Sequence, residues 1–121
     1  MNKNIINLIR KRDGRLQEFR QERITDAVHK AFLAVDDQDR SKAQEVSDRV
    51  VTTLRIFYTD GMIPTVEKVQ DLVEHKLIEM GHSDAAKAYI LYREQHAKMR
   101  EARTLLESAT SLVDSYIDRG D

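Results

Sequence analysis

Ile9-Arg10-Lys11-Arg12-Asp13-Gly14-Arg15 joins an apolar, β-branched opening, Ile5, Ile6, Leu8 and Ile9, to the dipeptide Asp13-Gly14. β-Branched side chains suit a pleated surface, and Asp-Gly is a strong tight-turn signal. The pattern therefore predicts a first strand, a turn and a short return strand over Leu16 to Phe19. A two-stranded hairpin is marginal alone and must lie on something. Its support follows at once: Ile24, Ala27, Val28, Ala31, Phe32 and Val35 recur at the spacing of one helix face, which predicts a helix from about Gln21 to Val35.

Further along, Asp36 to Arg40 reads as an acidic loop and Ser41 as the N-cap of a second helix with Ala43, Val46, Val50, Leu54 and Phe57 on its buried stripe. Asp60-Gly61 ends it, and Met62-Ile63 before Pro64 offers a short extended piece, a possible third strand. Thr65 caps a third helix whose buried positions are Val66, Val69, Val73, Leu77 and Met80, with Glu67 in the first turn where a negative charge suits the helix dipole. Gly81 serves as its C-terminal stop. Ser83 and Asp84 open a fourth helix with apolar positions at Ala88, Tyr89, Tyr92, Met99, Leu105, Ala109, Leu112, Val113, Tyr116 and Ile117, and no breaker before Gly120. That helix would measure about 55 Å at 1.5 Å per residue, so its far end needs a partner or a break. The fold class expected is mainly α: a four-helix bundle capped by a small N-terminal hairpin or three-stranded sheet, with a long C-terminal helix. Residues 1–100 form the domain and 101–121 a helical extension.

Composition agrees with this picture. The chain has 121 residues, 40% hydrophobic and 34% charged, with one Pro and four Gly, which suits one helical domain better than a turn-rich sheet sandwich. Lys plus Arg number 20 against 21 Asp plus Glu, so no general field draws the chain to nucleic acid or to an anionic membrane. With no cysteine, disulfides, thiolate zinc sites and thiol nucleophiles are excluded. No apolar run approaches the roughly 20 residues of a membrane span. Met1 to Arg10 carries charge where a signal peptide needs an apolar core. A soluble, cytoplasmic protein is expected.

The hairpin tip gathers four cations, Arg10, Lys11, Arg12 and Arg15. Guanidinium forks engage phosphate oxygens in pairs and lysine adds a point charge, although charge alone fits a solvated hairpin end better. The wider pattern is more specific. Ile9, Lys11-Arg12-Asp13-Gly14, Phe19 and Arg23-Ile24, then Asp60-Gly61-Met62-Ile63-Pro64-Thr65, Val69-Gln70-Asp71-Leu72-Val73 and Ala85 to Arg93, taken in order, resemble the ATP-cone domains of ribonucleotide reductases over roughly residues 5–95. The tail from Leu105 to Tyr116 resembles the segment that joins the cone to the catalytic body in anaerobic ribonucleoside-triphosphate reductases.

The resemblance implies a hairpin lidding a helical bundle, with ATP or dATP bound between them with Mg²⁺ as an allosteric effector. It makes Lys11 and Arg12 phosphate contacts, Gly14 the turn, and Ile9 and Ile24 walls of the adenine pocket. Arg23 stands where the family usually has Lys, so a charge is retained with a different head group. Thr65 and Gln70 from the third helix, with Lys87 and Arg93 from the fourth, are the candidates that complete the site. The partners implied are adenine nucleotides and a reductase catalytic body, with a homo-oligomer as a further possibility raised by the apolar stripe of the tail.

Other features read blandly. No two histidines stand four residues apart on one helix face, and the Asp36, Asp37, Asp39 loop lacks the glycine and terminal glutamate of a calcium loop, so no metal site is expected. Tyr89 and Tyr92 could stack on a base, but on an apolar stripe they are more often core. No glycine loop of the Walker type is present, so the chain is expected to regulate and not to hydrolyse. Two rivals from other classes are a transcriptional regulator that carries a cone without its zinc ribbon, and a helical interaction or oligomerisation module.

Overall fold

A computed structural model describes the backbone of residues 5–119 and the side chains of residues 5–114. The tail positions Tyr116 and Ile117 and the breaker Gly120 therefore lie outside the described side chains. Two short strands, β1 (Leu8–Arg10) and β2 (Leu16–Glu18), precede four helices, α1 (Gln21–Ala34), α2 (Arg40–Phe57), α3 (Val66–Glu79) and α4 (Ser83–Arg119). The chain divides into the units Met1–Ile90 and Leu91–Asp121. Among the described residues no helix is long and apolar enough to cross a membrane.

The strands pair antiparallel, Leu8 with Glu18, Ile9 with Gln17 and Arg10 with Leu16. Side chains alternate across a strand, so Ile9 and Gln17 share the half-buried face while Leu8 and Leu16 stand exposed. The Gly14 N–H donates to the Lys11 carbonyl at 2.9 Å and the Lys11 N–H to the Arg15 carbonyl at 2.8 Å. Arg12 and Asp13 thus occupy the centre of the turn and Gly14 follows at φ 88°, where an L side chain is strained.

Among the described residues the sheet has two strands. Met62-Ile63 does not become a third: the link there is a single bridge between Arg10 and Thr65, with the Arg10 N–H donating to the Pro64 carbonyl at 2.9 Å. Proline has no N–H to return, and Thr65 is already committed to α3, whose Lys68 N–H its hydroxyl accepts at 3.2 Å, so the ladder cannot extend.

Within the first unit the core gathers Ile6, then Ile24, Val28 and Phe32 of α1, Val46, Val50 and Leu54 of α2, Val69, Val73 and Leu77 of α3, and Ala85, Ala86 and Tyr89 of α4. Between α1 and α2 the buried Thr25 and Ser47 hydroxyls bond to each other at 2.7 Å, and Gln21 donates to Ser47 at 3.0 Å. These buried polar atoms are satisfied. Two expected core positions differ: Phe57 is 69% exposed at the last residue of α2, and Val35, just past α1, is 37% exposed. The α2 cap is Asp39 and not Ser41; the Asp39 carboxylate accepts from the Ser41 N–H at 3.0 Å and the Ser41 hydroxyl at 2.6 Å.

Two helices end in the same way. After α3, the Gly81 N–H bonds the Ile78 carbonyl and the His82 N–H the Leu77 carbonyl, with Gly81 at φ 84°. After α1, Asp36 and Asp37 repeat these bonds onto Leu33 and Phe32, but Asp36 holds φ 63° without being glycine. Left-handed backbone costs an L residue roughly 1–2 kcal/mol, and the added freedom of an unfolded glycine returns part of that. Asp36→Gly should therefore stabilise by about 0.5–1 kcal/mol. A Cβ on Gly81 would meet nothing within 4 Å. Gly81→Ala should then cost about 1 kcal/mol through the backbone alone. Thermal melts of the two variants, shifted in opposite directions, check this.

The Ser41 hydroxyl, with the Ser41 N–H adding to it, holds the Asp39 carboxyl below its ordinary value of 3.8. A carboxyl depressed in the folded state stabilises fully above its unfolded pKa, and that stability is lost as pH falls through the folded value. Asp39→Asn keeps a good cap but removes this acid-dependent contribution. Its Tm should fall less steeply than the parent's as pH drops below about 4.

Candidate functional site

A cavity of about 230 Å³ lies between the hairpin and the helices beneath it. The hairpin register turns Ile9 and Gln17 inward, and Phe19 follows on the same side. From α1 and its cap come Arg20, Arg23, Ile24 and Ala27, and from α3 come Val66, Val69, Gln70 and Val73. Within each helix, residues three and four apart share one face, which is why these sets line a single wall. Tyr89 of α4, 5% exposed and part of the core, also lines the cavity. The walls are apolar, the Gln17 and Gln70 amides offer donors and acceptors, and Glu18, Arg20 and Arg23 contribute charge.

Arg12 reaches from the turn to α3. Its Nη2 donates to Gln70 Oε1 at 3.0 Å and its Nη1 lies 2.9 Å from Glu67 Oε1. Glu67 and Gln70 stand three residues apart, so one planar fork spans both. Gln70 thus belongs both to the cavity wall and to the grip on the turn. Nearby cations are paired as well: Arg15 Nε lies 2.6 Å from Asp13 and Arg20 Nη2 lies 3.2 Å from Glu18. The Arg15 backbone N–H, followed by its side chain, holds the Asp13 carboxyl below its ordinary value.

Of the residues singled out in the sequence, Ile9, Arg23, Ile24 and Gln70 line the cavity, and Arg12 touches it through Gln70. Lys11 continues the face of Ile9 and is half-buried, but is not among the lining residues. Gly14 shapes the turn. Thr65 caps α3 one residue before the lining begins. Lys87 is exposed on α4 outside the lining, and Arg93 belongs to the second unit. Tyr92 also belongs to that unit, its ring 4.1 Å from His96.

Sequence reasoning did not nominate Gln17, Arg20, Ala27, Val69 and Val73. Strand alternation opposite Ile9 signals Gln17, whereas the valines look like plain core. A more open groove of about 540 Å³, with Phe57, Tyr58, Met62 and Leu72 among its lining residues, lies over the end of α2 and α3.

Residues 7–98 match the ATP cone domain family. The chain belongs to the ATP-cone family. It is 36% identical over 107 residues to a vitamin B12-dependent ribonucleoside-diphosphate reductase of Thermoplasma acidophilum, covering 84% of this chain and 13% of the relative. It is 34% identical over 113 residues to a ribonucleoside-diphosphate reductase subunit alpha of Chlamydia muridarum, covering 84% and 11%. An anaerobic ribonucleoside-triphosphate reductase of Haemophilus influenzae is 33% identical over 111 residues, covering 92% and 15%. The ATP-cone chain thus spans only a small part of the length of these curated relatives.

Both members of the Arg12–Glu67 pair are 38% exposed, so solvent screening discounts the pair. Arg12→Ala should lower the stability of the ATP-cone by no more than about 1 kcal/mol. A denaturant titration decides this, and a loss of several kcal/mol would show the hairpin to depend on that one side chain.

Proposed function

We propose that this ATP-cone is the allosteric sensor of a ribonucleotide reductase, taking ATP or dATP between hairpin and helices and thereby switching a catalytic body. The observation that carries this reading is the apolar cavity closed by the hairpin, with the Arg12 guanidinium held at its α3 wall through Gln70. At about 230 Å³ it is smaller than the roughly 300–1,000 Å³ of drug-sized ligand sites, which suits a purine base inside with sugar and phosphates at the rim. Ile9, Ile24, Ala27 and Val69 supply apolar walls for the base, Tyr89 an aromatic one, and Gln17 and Gln70 reach its polar edge. Lys11 and Arg12 at the turn, with Arg23 on α1, take the phosphates. Thr65, Lys87 and Arg93 are assigned to the site on family resemblance alone.

Among the described residues no group of three or more His, Asp or Glu side chains is placed to hold a metal ion. Mg²⁺ is therefore assigned to the triphosphate, whose oxygens can ligate it, and not to a protein cage. The ligand acts on the larger protein only by binding one arrangement of the module better than another. Leu105, Leu106, Leu112 and Val113, all more than half exposed, are assigned to contact with the reductase body, with self-association through the same stripe as the competing assignment.

Saturating ATP or dATP with Mg²⁺ should raise the melting temperature where GTP does not, because a ligand bound only to the native state stabilises it by mass action. Lys11→Ala should weaken ATP by about tenfold to a hundredfold, the worth of a charge-assisted bond of roughly 1.5–3 kcal/mol. Calorimetry reads both. A folded Lys11→Ala protein with unchanged ATP affinity would move the phosphates away from the turn. Equal melting shifts with ATP and GTP would end the adenine assignment.

A further inference from the structure

Glu67 takes no part in the phosphate contacts just proposed, yet it holds the group assigned to them. We infer that Glu67 is a specificity-determining residue of the site: an internal counter-ion that occupies Arg12 until a phosphate chain displaces it. The inference rests on the nucleotide assignment above and deepens it.

Three observations carry it. The Arg12 fork is divided, Nη1 on the Glu67 carboxylate at 2.9 Å and Nη2 on the Gln70 amide oxygen at 3.0 Å. Gln70 lines the cavity and Glu67 does not, so the neutral acceptor faces the ligand and the charged one stands behind it. Both Arg12 and Glu67 are more than one third exposed, so the pair is labile and Glu67 can return to water when released.

The exchange follows from this geometry. Nη2 can keep its bond to Gln70 while Nη1 leaves one anion for another, so the guanidinium stays at the cavity wall throughout. A neutral nucleoside cannot pull Nη1 from a carboxylate. A single phosphate offers about the same charge-assisted bond that it replaces, whereas a triphosphate brings several oxygens and further charge to the same fork and to Lys11. Glu67 thereby sets a threshold of ligand charge.

The test is a double-mutant cycle on the whole chain with Glu67→Gln and Arg12→Ala, read by calorimetry with adenosine, AMP, ADP and ATP. Glu67→Gln should bind ATP about three- to tenfold more tightly, the factor set by an exposed to half-buried ion pair. AMP should gain less and adenosine nothing. In the Arg12→Ala background the same change should give no gain. Glu67 also sits in the first turn of α3, where loss of its charge slightly weakens the helix. A merely structural role therefore predicts equal or weaker binding.

Equal or weaker ATP binding by Glu67→Gln, or a gain that persists without Arg12, overturns the inference and leaves the nucleotide assignment standing. Failure of the parent chain to bind any adenine nucleotide overturns both.

Discussion

Two strands of three residues cannot hold themselves together in water, so the hairpin exists because the helices give it a floor. Ile6 is buried among the helices and Ile9 packs against the same cluster, while the Arg10 N–H finds its acceptor on Pro64, just before α3. The floor is made by α1 and α3, and those helices also line the cavity. Hairpin and cavity are one arrangement, and a ligand held there as proposed would add contacts where the hairpin has few of its own. Elements with few buried contacts open at low cost, which suits the proposed role of the hairpin over a nucleotide site.

Much of this was legible because the periods are clean. The stripe on α1 and the capping Thr65 on α3 located those helices to within a residue, and Asp13-Gly14 marked the hairpin. Where two neighbouring residues offer the same chemistry, the pattern cannot choose between them. Asp39 and Ser41 are both good caps, and the backbone took Asp39 while the Ser41 hydroxyl donated to it. Phe57 continues the apolar period of α2 but stands at the helix end, 69% exposed, because periodicity fixes a face and not what covers it.

The site was legible along the chain and not across it. Ile9, Arg23, Ile24 and Gln70 surfaced through the family pattern and sit together, whereas Val69 and Val73 look the same whether they face a core or a ligand. The grip of Arg12 on Gln70 joins positions 58 residues apart and has no local signature. Lys87 shows the converse. It follows the resemblance in sequence, but its helical position leaves it exposed and outside the cavity lining, since one residue along a helix turns a side chain by about 100°.

Local charge balance bears on how the proposed site would select a polyphosphate without being generally basic. The chain carries 20 Lys and Arg against 21 Asp and Glu, and around the hairpin three guanidinium groups have carboxylate partners: Arg12 with Glu67, Arg15 with Asp13, Arg20 with Glu18. The near-balance of charge over the whole chain gives no general field to collect passing anions. A phosphate binding Arg12 as proposed would have to trade places with the Glu67 carboxylate, and a monovalent anion would gain little because the bond it makes resembles the one it breaks. A triphosphate changes that balance, since its charges are covalently joined and the second and third contacts are made at high effective concentration once the first is in place. In the proposed site, discrimination by charge would come from exchange against paired residues, and the exposure of those pairs would keep the exchange reversible.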